Sequence, residues 1–115
     1  MKEVIQELKG EPPFQQAKFV RVGRRVIVGP ANEVYHKELA ERLGVPGDSA
    51  DDHGLLIFNL RNKIILISGN SGSFDLASAE ARAETGRCVC GIVGDHLHVV
   101  ANHPIKGEVF DSKKK

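Results

Sequence analysis

Two short apolar runs constrain this chain more than any other feature. Residues Gly54–Leu60 (GLLIFNL) and Lys63–Ser68 (KIILIS) are apolar at nearly every position, with only the polar pair Arg61-Asn62 between them. Runs of this length bounded by turn residues read as strands. Asn tolerates left-handed backbone, so the spacing predicts a tight antiparallel hairpin. Neither run alternates, and both faces of the sheet are therefore expected to be covered. The pattern then breaks into Gly69-Asn70-Ser71-Gly72-Ser73, and Asp75 is expected to open a helix through about Thr85. A Gly/Ser loop entering a helix gathers unpaired N–H groups and hydroxyls at the positive end of the helix dipole. That setting suits an anion.

The flanking segments supply more of the same sheet. Lys18–Val22 and Arg25–Val28 surround Gly23-Arg24, the signature of a second hairpin. Gly29-Pro30 ends that strand. Asn32 is a plausible N-cap, and Val34, Leu39, Ala40 and Leu43 make one stripe of a helix closed by Gly44. Val45–His53 reads as a polar loop. Beyond the central hairpin, Gly86 is expected to cap the second helix. Cys88–Val93 and Leu97–Ala101 then form a third hairpin around Gly94-Asp95. Ahead of all this, Val4, Ile5 and Leu8 suggest a short N-terminal helix within the extension 1–14. The polar segment 103–115 is an edge strand or a tail, with Lys113–Lys115 disordered. The expected fold is one α/β domain over 1–115. It is a mixed sheet of about six strands with two main helices, in the order β-β-α-β-β-α-β-β.

Composition narrows the function classes. With 16 Lys and Arg against 15 Asp and Glu the net charge is +1, so the global basic field of a nucleic-acid binder is missing. Aromatic residues are 5% of the chain, leaving few platforms for stacking bases. No apolar run approaches a membrane span and the N-terminus lacks a signal-peptide core, which points to the cytoplasm. Cys88 and Cys90, one residue apart in an expected strand, share a face and are poorly placed to bond each other; they read as reduced thiols.

Three sets of residues carry candidate chemistry. His36 follows Tyr35 early in the first helix, where the dipole disfavours imidazolium; a neutral imidazole there suits a general base or a nucleophile toward phosphorus. Lys18 opens the first strand on the face opposite Phe19 and suits a phosphate as a point charge. Gly69–Ser73 suits a phosphate cradle, although it lacks the lysine and spacing of a Walker A loop. Each residue also has an ordinary reading, as a helical histidine, a solvent-facing lysine and a turn built for geometry. Cys88, Cys90, His96 and His98 form a further set with metal-ligating side chains, but without the usual two-to-four-residue gap between cysteines.

Taken together, these residues resemble the phosphohistidine phosphatase (Janus) family of small α/β proteins. Lys18-Phe19-Val20 looks like the lysine-aromatic-valine of that family's first strand. Gly29 and the pair Tyr35-His36 look like the glycine and the Tyr-His that start its first helix. From Gly54 to Ala77 the likeness runs without a gap through Gly54, Lys63, Ile65, Gly69, Ser71 and Ala77. The likeness extends over roughly Lys18–Val100. The resemblance implies His36 as the catalytic residue, and Ser71 with the N–H groups of Gly72 and Ser73 as the phosphate loop. It implies no metal or cofactor. The chain departs from the family at Val28 and Leu55, where the family has arginines; Arg21, Arg24 and Arg61 are the cations available to compensate.

The resulting expectation is a metal-independent, phosphatase-like hydrolase acting on phosphorylated side chains, phosphohistidine in proteins foremost. Two alternatives stay open: a non-catalytic module binding a phosphorylated protein or small anionic ligand on the same fold, and a Cys/His metal-binding protein. Nucleic acid and membrane are not expected as partners, and the chain is expected as a monomer or weak dimer.

Overall fold

The computed structural model describes residues 16–30, 41, 44, 50–59, 61–70, 76–94 and 97–113. Six strands form one sheet: β1 (Gln16–Val22), β2 (Arg25–Pro30), β3 (Asp52–Asn59), β4 (Ile64–Ser68), β5 (His98–His103) and β6 (Gly107–Asp111). Their order across the sheet is β2-β1-β3-β4-β5-β6. All neighbours are antiparallel except β4 and β5, which run parallel and are joined by a helix, α1 (Ala79–Val93). A parallel pair needs such a crossover, so the helix is obliged to lie on the sheet. The α/β class, the mixed sheet and its six strands match the sequence reading.

Alternation assigns the two faces. Arg82 of α1 bonds Asp52 and lies over the Phe19 ring, so Asp52 and Phe19 face the helix. With them, Ala17, Val26, Val28, Leu56, Phe58, Ile65, Ile67, Val99 and Ala101 form the core against Val89 and Val93. Lys18, Val20, Ile27, His53, Leu55 and Ser68 belong to the other face, one residue out of phase. There Val20, Ile27 and His53 are also buried, in line with the non-alternating sequence.

Several boundaries differ from expectation. Among the described residues one main helix packs on the sheet, where two were expected; the first, over Asn32–Gly44, falls outside the described residues apart from Glu41, which is helical, and Gly44. The N-terminal helix also falls outside them. The central hairpin keeps the expected register, but its strands stop one residue short on each side, at Asn59 and Ile64, and its left-handed residue is Lys63 (φ 53°) rather than Asn62. Asp52 and His53 belong to β3, not to the preceding loop.

The largest correction concerns the stretch after Ser73. The helix starts at Ser78, whose hydroxyl accepts the Ala81 N–H at 3.0 Å, and runs on past Gly86 to Gly94. Cys88–Val93 is therefore helix, and the third hairpin is β5–β6 around Pro104–Lys106. The helical stripe is Arg82, Thr85, Gly86, Val89 and Val93, spaced for one face. Gly86 is there for room. A Cβ at this position would lie 2.5 Å from Phe110 Cδ2 on β6, so the glycine lets the edge strand close onto the helix.

Gly86→Ala is therefore expected to destabilise the fold by about 1 kcal/mol net. Overpacking of about 1–3 kcal/mol outweighs the helix-propensity gain of up to about 1 kcal/mol. Urea denaturation should show the penalty vanish in a Phe110→Leu background; a penalty that persists there would mean the glycine serves some other purpose.

Candidate functional site

Strand register brings Lys18 to the handover from β4 into the Gly/Ser segment. Lys18 on β1 pairs with Leu55 on β3, and Leu55 pairs with Ser68, the last residue of β4. Gly29 pairs with Lys18 from the other side. Cross-strand partners share a face, so Gly29, Lys18, Leu55 and Ser68 make one row on the face opposite α1. His36, Ser71, Gly72 and Ser73 fall outside the described residues. Lys18 is half-buried within this row.

The backbone just beyond Ser68 is held from below by α1. Arg82 is 1% exposed and donates to five oxygen atoms. Its Nε reaches Asp52 Oδ2 at 2.8 Å, and Nη2 reaches Asp52 Oδ1 at 3.2 Å, His53 O at 2.9 Å and Gly69 O at 2.8 Å. Nη1 donates to Asn102 O at 2.7 Å. One guanidinium thus joins β3, β5 and the first residue beyond β4. It fits because Gly54 has no side chain: a Cβ there would meet Ser68 O at 2.5 Å, Gly69 O at 2.9 Å and Arg82 Nη2 at 3.0 Å. Gly69 itself has φ 67°, a conformation that suits glycine.

Asp52, fully buried, takes more than the guanidinium. Its Oδ1 accepts the His53 N–H at 2.8 Å and its Oδ2 the Thr85 hydroxyl at 2.7 Å. Thr85 Oγ1 in turn accepts from Arg21 Nε at 2.7 Å. Arg21 is 4% exposed and also donates to Gly23 O and Ala81 O. It therefore lies under α1, on the face of the sheet that carries Val28 and opposite Lys18. Arg24 and Arg61 sit in exposed turns. At the two departure positions, Val28 is in the core beneath α1, and the Leu55 side chain flanks Gly69.

Sequence reasoning missed this network. Arg82 and Thr85 occupy the buried stripe of α1, and two polar residues on an apolar stripe are the one signal that a buried partner exists. Asp52, the last of the three aspartates in the segment 45–53, is that partner.

The far end of the same segment is held as well. His103, 6% exposed at the end of β5, has Nε2 2.7 Å from Ala77 O, while its Nδ1 accepts the Ile105 and Lys106 N–H groups at 3.1 Å each.

The alternative Cys/His metal set does not come together among the described residues. Cys88 and Cys90 are free thiols on α1, not on a strand facing His98. His98 Nε2 lies 2.6 Å from Asp111 Oδ1, tying β5 to β6, and His96 falls outside the described residues. Among the described residues no group of three or more His, Cys, Asp or Glu is placed to hold a metal. Cys88 lines an open cleft of about 340 Å³ with Arg24, Glu84, Arg87, Gly91 and Ile92. Burial pushes its thiol above the ordinary range, against the pull of the Arg21 charge. Hydrogen bonding from Arg87 holds the neighbouring Glu84 carboxyl below the usual range.

No family model matches the chain, and no curated protein or solved structure matches it. Among the described residues no helix is long and apolar enough to cross a membrane.

Two outcomes test this geometry. Asp52→Ala leaves a guanidinium buried without its counter-charge and is expected to cost about 3–5 kcal/mol in urea denaturation. The double variant Asp52→Leu/Arg82→Met is expected to recover part of that loss. Separately, Cys88 in a Cys90→Ser background is expected to alkylate more slowly than free cysteine at pH 8. Its rate should rise to half-maximum at higher pH, because a raised thiol pKa lowers the thiolate fraction at any given pH. Mass spectrometry of iodoacetamide-treated protein gives the profile.

Proposed function

We propose that this chain binds a phosphoryl group beside the Lys18 row and hydrolyses phosphorylated side chains, protein phosphohistidine foremost, as its resemblance to the phosphohistidine phosphatases implies. The observation that carries the reading is the register Gly29–Lys18–Leu55–Ser68. It aligns the lysine with the strand end that enters Gly69–Ser73 and with the strand end that precedes His36. The second support is the pinning of Gly69 by Arg82, because a cradle of backbone N–H groups works only when it is fixed before the anion arrives.

In this mechanism Lys18, the Ser71 hydroxyl and the Gly72 and Ser73 N–H groups hold the phosphoryl oxygens. Neutral His36 takes a proton from water as the water oxygen bonds to phosphorus and the P–N bond breaks. The leaving imidazole takes a proton from solvent and departs neutral, and His36 returns its proton to solvent, which restores the neutral base. Positioning and charge supply the catalysis, and no step needs a metal or cofactor. The compartment that fits is the cytoplasm, the partner a phosphorylated protein rather than nucleic acid or membrane, and the state a monomer or a weak dimer through the β6 edge.

A second reading, binding of a phosphorylated or anionic partner without turnover, is favoured by one observation. Leu55, in the Lys18 row, is apolar where the family has a guanidinium group, and Val28 is buried in the core beneath α1.

Phosphorus NMR of a phosphohistidine peptide separates the two. Turnover is expected for the wild type. His36→Ala is expected to lose at least about 100-fold in kcat, and Lys18→Ala to raise KM about tenfold. Phosphate binding without turnover would establish the second reading, and full turnover by His36→Ala would overturn the mechanism.

A further inference from the structure

The cleft beside Cys88 lies on the α1 face, across the sheet from the Lys18 row. Glu84, Arg87, Cys88, Gly91 and Ile92 recur three and four residues apart, so they line one side of α1 next to its buried stripe. Arg24 faces them from the β1–β2 turn and completes a space of about 340 Å³. That is the lower end of the roughly 300–1,000 Å³ usual for small-molecule sites. The turn is held in place from three directions. Gly23 donates its N–H to Asp51 Oδ2 at 2.6 Å. Its carbonyl accepts from Arg21 Nη1 at 2.7 Å and from the Cys88 thiol at 3.8 Å.

Two features of this cleft serve no purpose in the fold. The first is Gly91. Gly86 makes room for Phe110, but a Cβ at Gly91 would meet nothing within 4 Å. Glycine inside a helix weakens it relative to alanine, so Gly91 costs stability without easing any packing. What it leaves is a slot over the helix backbone between Cys88 and Ile92. The second feature is Arg24, which makes no hydrogen bond or ion pair among the described residues. Arg87, by contrast, is shared between Glu80 at 2.9 Å and Glu84 at 2.8 Å. The Arg87 hydrogen bond holds the Glu84 carboxyl below the usual range and so ionised, while burial keeps the Cys88 thiol neutral. One uncompensated positive charge therefore stands on a fixed turn beside an apolar slot. We propose that this cleft binds a small organic carboxylate with a flat apolar body. The carboxylate pairs with the planar fork of Arg24, and the body lies on Gly91 against Ile92 and Cys88.

The test is a titration of the nitrogen-15-labelled full chain with phenylacetate, run beside acetate and phenylacetamide. Under phenylacetate the amides of Arg24, Cys88, Gly91 and Ile92 are expected to shift with one common midpoint. Acetate lacks the apolar body and phenylacetamide the charge, and each is expected to need at least about tenfold more. Bound phenylacetate should also slow the alkylation of Cys88 by iodoacetamide in the Cys90→Ser background. Arg24→Gln, in an exposed turn, is expected to raise the phenylacetate midpoint about tenfold. Gly91→Leu fills the slot and is expected to abolish the shifts while its urea midpoint stays at or above that of the wild type. A glycine kept only for folding would not give that pairing. Cleft amides that stay silent under phenylacetate overturn the proposal, as does an unchanged midpoint in Arg24→Gln or in Gly91→Leu. An equal response to acetate marks an adventitious ion only and overturns it too.

Discussion

The structure depends on a buried ion pair, Asp52 with Arg82, that crosses from sheet to helix. Neither side chain reaches solvent to any extent, at 0% and 1% exposure. Such a pair adds little net stability, because removing two charges from water costs about as much as their attraction returns. What it confers is geometry. The guanidinium is bonded on all three of its nitrogens, and no buried side-chain polar atom among the described residues lacks a partner. Sliding α1 by a turn would strand both charges and the carbonyls of His53, Gly69 and Asn102. The pair therefore fixes the helix in a single register over the sheet, which apolar packing of Val89 and Val93 alone would specify far less tightly.

That register has a consequence on the other side of the sheet. The two faces divide the work: the α1 face carries the core and the ionic network, and the opposite face carries the Lys18 row. They communicate through backbone. Gly69 O is the point of contact, since Ser68 ends the row and Gly69 is the first residue the guanidinium holds beyond β4. Gly54 makes this possible by leaving space beneath Ser68 and Gly69 for Arg82. The glycine of β3, the arginine of α1 and the turn out of β4 thus form one unit, although Gly54 and Arg82 lie far apart in the chain.

Much of the sheet was legible because its signals are local. The runs around Gly23-Arg24 and Arg61-Asn62 carry their own turn residues, and the face of Lys18 follows from simple alternation with Phe19. The second half of the chain misleads for identifiable reasons. Gly86 looks like a helix stop, but its reason for being glycine is the ring of Phe110 on a later strand, which no local rule can register. Cys88–Val93 is a short apolar run whose periodicity alone does not separate strand from buried helix. The helical stripe that would have decided it includes Arg82 and Thr85, polar residues that count against burial until Asp52 is placed beneath them. For the candidate site, Lys18 was legible and its row was not, because rows exist only once strands are paired. The buried anchors Arg82 and His103 were illegible for the same reason, each acting through backbone carbonyls that carry no sequence signature.

The ion pair also bears on which phosphoryl group the proposed site would suit. Arg82 lies close to the segment after β4, but Asp52 neutralises it and carbonyls take its remaining donors, so it contributes little positive field to an arriving anion. Arg21 is committed to Thr85 and two carbonyls in the same way. With Leu55 apolar in the Lys18 row, the proposed site works with one lysine and backbone N–H groups. Phosphate esters leave as poor, strongly basic alkoxides and need heavy charge stabilisation in the transition state. A phosphorylated imidazole leaves as a weak base that takes up a proton near neutral pH, and far less of the barrier has to be met by fixed cations. A lightly charged cradle anchored at Gly69 would therefore be better matched to breaking a P–N bond than a P–O bond. Preorganisation of neutral dipoles then does what additional guanidinium groups would do in a more strongly charged pocket.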